Sequence, residues 1–280
     1  MRGPALMLTA IALFAVLDTI AKWLSVGYGS AQVIALRSAV GLLLTAPFAA
    51  RAGAIARERL SLHLLRGLLI LASAFFFFQA FALLPLLDAY IVFFLAPFFT
   101  MGLAVAVLGE RVGARAWAWA GLAFLGVLVP IVPALTGGGP LVGYLAALVG
   151  TAATAGVMIT TRKLGTHEGL AVAMAVPALL GAVLFGPVAV AVWVPPGTRD
   201  LALLLVNGVV WTGANLALTA AVRAAEPSRL APLDFTAMLW AVLFDALVFG
   251  LAPGVLDVIG AAVVVLATLG HQAEQRRTPR

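Results

Sequence analysis

The tract GGGP, residues 137–140, falls almost at the middle of this 280-residue chain. Three glycines and a proline in a row punctuate rather than continue regular structure, and long apolar runs stand on both sides. Working outward and cutting at polar or Gly/Pro positions gives five runs before the tract, 4–24, 31–50, 64–84, 86–108 and 114–133. Five more follow it, 141–161, 169–192, 201–222, 229–249 and 253–270. Each is close to the roughly 17–25 residues that a helix needs to cross the hydrocarbon of a bilayer. The count therefore predicts an all-α polytopic membrane protein with ten transmembrane helices.

Composition agrees with the count. Hydrophobic residues make up 64% of the chain, charged residues 10%, and the mean hydropathy is +1.13. A soluble domain with so few polar groups could not cover its own surface. The apolar stretch from Pro4 to Leu24 is too long for the core of a signal peptide and reads as the first span. There is no Cys, which excludes disulfides, thiolate catalysis and Cys-based metal sites. The net charge of +6 could point to nucleic acid, but no basic run is interleaved with aromatics as a strand-binding surface requires.

Topology accounts for the positive charge instead. With ten spans both termini share one side, and that side receives 14 of the 17 Lys and Arg residues, all but Lys22, Arg37 and Arg199. The positive-inside rule makes it the cytoplasm of a bacterial inner membrane. The basic loop from Arg51 to Arg66 would lie against anionic lipid headgroups. Because five is odd, two halves of similar fold must enter the membrane from opposite faces, the inverted-repeat arrangement of many secondary transporters. The expected organisation is a first five-helix unit over 1–136, an extracytoplasmic linker at 137–140, a second inverted unit over 141–272, and a cytoplasmic tail at 273–280.

Internal echoes support the duplication. ALLPLLDAYIVFFLAPFFTMGLAVAVLGE, from Ala82, and AAEPSRLAPLDFTAMLWAVLFDALVFG, from Ala224, both open on a Pro-bearing turn, run through an aromatic-rich span and reach a Gly. AKWL at the end of the first span likewise pairs with TRKL at the end of the sixth. These stretches, with LDTIAKWL followed by QVIALRS, and with Gly121 and Gly126 in the fifth span, resemble the EamA-type repeat of the drug/metabolite transporter superfamily. The likeness runs over nearly the whole chain and is greatest to bacterial amino-acid exporters of the YddG type. It implies a transporter that exports small metabolites, amino acids above all, by alternating access, with no cofactor. One departure stands out: where the second repeat commonly ends in Gly-Glu, this chain has Gly250-Leu251.

Enzymatic readings find little to use. His63, His167 and His271 all fall at cytoplasmic span edges, and there is no GxSxG, no HExxH and no intramembrane His pair. The expectation is neither a catalytic residue nor a metal ligand. What remains is the polar and aromatic content of the spans. Asp18 and Lys22 stand in FAVLDTIAKWL, residues 14–24. Asp18 lies about 9 Å below the outer end of its span at a 1.5 Å rise per residue, and Arg37 lies at a similar depth in the second. Asp18 could pair with Arg37, or with Lys22 on the same helical face. The plain reading has Lys22 snorkelling to the outer interface beside a belt Trp23. For Asp18, an acid costly to expose to lipid, the expectation is a place on a water-filled path.

At mid-depth, Phe78 and Gln79, Trp211 and Asn215 on one helical face, and Trp240 offer aromatic surface with a few hydrogen-bonding groups, a mixture suited to an amino acid. Tyr90 stands as an entrance residue or a belt Tyr. Pro97 and Pro177, near the middle of their spans, free backbone carbonyls and would kink or hinge their helices. Glu110 would stabilise the start of the fifth span, and Asp88 and Asp257 would lie at the outer interface. Two alternatives stand beside amino-acid export. A broad efflux pump for cationic compounds would need a deep acid free of a competing cation. A non-transport membrane component would show a solid core.

Overall fold

The structure, a computed structural model, describes residues 2–51, 57–137, 140–165, 170–224 and 230–277. Every regular element among them is helical: α1 Arg2–Leu24, α2 Ser30–Arg51, α3 Arg57–Leu83, α4 Leu86–Phe93, α5 Ala96–Leu108, α6 Ala114–Gly137, α7 Leu141–Leu164, α8 Leu170–Ala191, α9 Thr198–Ala224, a 3-10 turn Ala231–Phe235, α10 Thr236–Phe249 and α11 Val255–Arg277. Nine stretches of the described residues are long and apolar enough to cross a membrane. The tenth expected span, 229–249, is present as the 3-10 turn followed by the 14 residues of α10. Most boundaries lie within a few residues of those read from the sequence. The third helix differs, beginning at Arg57, so that Arg57, Arg59 and Arg66 of the expected basic loop are helical. Gly138 and Gly139 of the central linker and the last three tail residues lie outside the described residues.

The fourth span is broken at Phe94-Leu95. Pro97 has no amide hydrogen to give the carbonyl of Phe93 and crowds the preceding turn, and the backbone tightens there through Leu95 N–H donating to Val92 O at 3.0 Å. Pro97 then sits in the first turn of α5, where a proline is tolerated. The ninth span breaks in the same place, with a proline in the first turn of its 3-10 segment. Both spans end alike: Gly109 and Gly250 adopt φ of 68° and 66°, and the next amide bonds back, Glu110 N–H to Ala104 O at 3.3 Å and Leu251 N–H to Asp245 O at 2.9 Å. Only glycine takes that left-handed cap without strain.

Helix packing repeats the same theme. α1 packs on α9 and α3 on α7; α2 packs on α8 and α6 on α11; α5 touches α7, and α10 touches α1. Exchanging each span for the one five places along maps this set of pairs onto itself, as a pseudo-two-fold axis between the halves requires. The α6–α11 crossing is so close that a Cβ on Gly260 would stand 2.8 Å from the Gly126 carbonyl oxygen and 2.8 Å from Pro130 Cδ. Pro130 is four residues beyond Gly126 and cannot bond that carbonyl, so the crossing sets bare backbone against bare backbone.

Pro177 is a different device from Pro97. It lies inside an unbroken α8, and the Ala173 carbonyl it cannot satisfy accepts from Arg66 Nη1 at 2.8 Å, while Arg66 Nε donates to Thr161 Oγ1 at 2.8 Å. One guanidinium thereby ties α3 to α7 and α8.

α4 is buried from Leu86 through Val92. Asp88 and Tyr90 are therefore core residues rather than interfacial ones. The reason is the short Pro85 turn, which sends the chain straight back into the bundle, where α1, α3, α6, α7, α10 and α11 all meet this helix.

Candidate functional site

Three helices turn a spaced set of residues toward one internal space: Leu17, Asp18 and Ala21 from α1; Val33, Ile34 and Arg37 from α2; and Ala74, Phe77, Phe78 and Phe81 from α3. The three-and-four spacing in each set is the signature of one helical face. Asn207 of α9 completes the lining of a small cavity of about 40 Å³. The phenylalanines form a continuous wall, with Phe77 5.8 Å from Phe81 and 5.7 Å from Phe93 between ring centroids. Among the described residues, no three His, Cys, Asp or Glu side chains converge as metal ligands would.

Asp18 is the acid of this chamber. Tyr90 reaches over from α4 and donates its hydroxyl to Asp18 Oδ2 at 2.6 Å, and the Arg37 guanidinium is close enough to act on the carboxylate electrostatically. Arg37 also lies over the Trp211 ring, 5.8 Å from its centroid. Opposite charges thus face a space walled by aromatic carbon. Asn207, only 1% exposed, donates through Nδ2 to the Leu17 carbonyl at 3.2 Å.

Lys22 is neither snorkelling nor paired with Asp18. It is 8% exposed and its ammonium bonds Asp245 Oδ1 at 3.1 Å and the Leu84 carbonyl at 2.8 Å, beside the Phe249 ring at 4.7 Å. The other oxygen of Asp245 accepts the Leu87 amide at 3.0 Å. A buried carboxylate needs a cation, and Asp18 already has Tyr90 and Arg37. The residue of α4 after Leu87, Asp88, accepts the Tyr144 hydroxyl at 2.6 Å. The Lys22 and Asp245 contacts join α1 and α10 to the turn between α3 and α4. The corresponding ion pair is Arg162–Glu110, 2.8 Å long and far more exposed. Glu110 therefore serves as an ion partner across two spans rather than only as a charge at a helix start.

Several expected residues lie elsewhere. Gln79 is exposed on the face of α3 that carries Leu65, Leu68 and Leu83, away from the cavity. Asn215 turns its amide back onto its own helix, donating to Trp211 O at 2.8 Å. Trp240 stacks on Phe244 at 5.6 Å and packs against the cluster of Met7, Ile11, Ala221 and Leu230. Asn207 and the whole contribution of α2 apart from Arg37 were not read from the sequence. The spacing carried a signal for the first: Asn207, Trp211 and Asn215 recur every four residues on one face of α9.

Comparison with known proteins gives a consistent set of likenesses. Residues 1–131 match the model of the EamA-like transporter family. The S-adenosylmethionine uptake transporter of Rickettsia prowazekii is 26% identical over 254 residues, covering 90% of this chain and 86% of that protein. The riboflavin transporter of Rhizobium johnstonii is 28% identical over 285 residues, covering 99% and 93%. The pseudopaline exporter CntI of Pseudomonas aeruginosa is 28% identical over 272 residues, covering 95% and 94%. A solved crystal structure shares the fold with a TM-score of 0.68 at 20% identity, covering 98% of each chain.

Proposed function

We propose, from the match of residues 1–131 to the EamA-like transporter family and from the apolar spans, that the chain is a multi-pass membrane transporter of that kind, which exports neutral and aromatic amino acids across a bacterial inner membrane by alternating access. The observation that carries the substrate class is the chamber itself, with Asp18 and Arg37 facing one space walled by Phe77, Phe78 and Phe81. An ammonium and a carboxylate on one small molecule match the two charges, and a variable side chain meets the aromatic wall. A pump for cationic drugs would want the acid alone, and Arg37 argues against it. The relatives carry different cargoes in both directions by name, so substrate and direction here rest on the chamber and on the sequence resemblance.

The test is counterflow in proteoliposomes loaded with unlabelled amino acid. Labelled phenylalanine and leucine are expected to accumulate transiently, with only a modest change when a pH gradient is imposed. If neither accumulates and a lipophilic cation does, the reading falls and the drug-pump alternative takes its place.

In this proposal the repeats are 1–136 and 141–272, inverted about the GGGP linker, with both termini cytoplasmic. Reporter fusions after Gly139 and at the C-terminus are expected on opposite sides of the membrane. Finding both on one side would remove the inverted arrangement.

A further inference from the structure

Asn207 holds more than a structural tie. Its Nδ2 is committed to the Leu17 carbonyl, and its Oδ1 is buried without a protein partner. The amide cannot be turned around: a backbone carbonyl only accepts, so the nitrogen must be the atom facing Leu17 and the oxygen the one left over. A buried acceptor without a donor is destabilising, a cost that a bound donor removes. Asn207 lines the same cavity as Asp18, whose carboxylate uses Oδ2 on Tyr90. Two acceptors from α9 and α1 therefore border one space, while the cationic donor, Arg37, enters from α2.

We propose that Asn207 Oδ1 and Asp18 form the subsite for the substrate's protonated amine, leaving Arg37 to the carboxylate. This deepens the export reading and rests on it for the identity of the cargo. Asp18 supplies the charge. Asn207 supplies a directed second acceptor, so the pair distinguishes an ammonium, with three N–H donors, from a hydroxyl or a hydrogen at the same carbon.

The test compares phenylalanine with two analogues, 3-phenylpropionate, which lacks the amine, and phenethylamine, which lacks the carboxylate. In the wild type, 3-phenylpropionate is expected to compete at least tenfold more weakly than phenylalanine in counterflow, and phenethylamine to raise the unfolding temperature of the purified protein. Asn207→Leu is expected to raise the KM for phenylalanine at least tenfold with little change in kcat, to reduce the preference over 3-phenylpropionate, and to abolish stabilisation by phenethylamine. Asn207→Asp, which keeps an acceptor, is expected to retain the preference for the amine. Loss of thermal stability in Asn207→Leu with the preference and the phenethylamine response intact would overturn the subsite and leave Asn207 as a tie between α9 and α1. If no amino acid is carried but phenethylamine still stabilises the wild type and not Asn207→Leu, the export reading fails and the subsite stands. If phenethylamine stabilises neither, the subsite fails.

Discussion

Lys22→Met is expected to lower the stability of the purified protein by about 3–5 kcal/mol, because it strands the Asp245 carboxylate in a place without water. Asp245→Asn strands the ammonium and is expected to cost a similar amount. The double replacement Lys22→Met with Asp245→Leu removes both charges and should recover most of the loss, since a buried pair contributes little beyond a well-packed apolar one. Transport is expected to separate from stability in this double variant. The ion pair also holds the Leu84 carbonyl and the Leu87 amide, so its removal is expected to let this end of the bundle open more often. The chain has no cysteine, so a single Leu87→Cys gives a clean probe. A membrane-impermeant thiol reagent added outside should label it at least tenfold faster when the double variant is the background. Wild-type stability in both single variants would show that water reaches the pair and that it behaves as a weak surface ion pair.

Asp18→Asn is expected to cut kcat/KM by at least a hundredfold while the protein still inserts and binds detergent normally. Two losses combine: the substrate's ammonium loses its counter-charge, and Arg37 is left facing a poorly hydrated space without one. Tyr90→Phe keeps the ring and deletes one hydrogen bond to the carboxylate, so about a tenfold loss is expected, in line with roughly 1.5–3 kcal/mol for a bond to a charged group, part of which is recovered by water. The order of the two effects is the test. If Tyr90→Phe were as damaging as Asp18→Asn, the tyrosine would act on substrate itself rather than through the acid. A steep pH-gradient drive in the wild type that vanished in Asp18→Asn would make the acid a proton carrier instead of a fixed counter-charge.

Much of the fold was legible because a bilayer makes the rules local. Span length and Gly and Pro punctuation are properties of short stretches, and they foretold the helices. The charge partners were not legible for the converse reason. Asp18 and Lys22 are four apart on one face, which invites pairing, yet Lys22 bonds a residue 223 positions away, because Asp18 is already engaged from α4 and α2. No pattern within α1 reports what α10 will present to it. Burial of α4 was missed in the same way: a span that touches six others reads like one that touches lipid, since both are apolar on every face. Gln79 shows the limit of arguing from residue type. Its amide suits a cavity, but the face it occupies is set by the turn of α3, and Phe78 next to it takes the inward place.

The likeness of Lys22–Asp245 and Arg162–Glu110 has an energetic consequence. In the inverted arrangement proposed above, inward-open and outward-open forms are the same shape with the halves exchanged, and a perfectly repeated sequence would make them equally populated at rest. The two ends are not equal: Lys22 and Asp245 have side-chain exposures of 10% and 4%, Arg162 and Glu110 of 43% and 31%. These unlike latches contribute to the free-energy difference between opening one end and opening the other, and each 1.4 kcal/mol of that difference shifts the resting ratio tenfold. Moving Glu110 into deeper contact, or hydrating Asp245, would reset which way the empty carrier faces without touching the residues that hold its cargo.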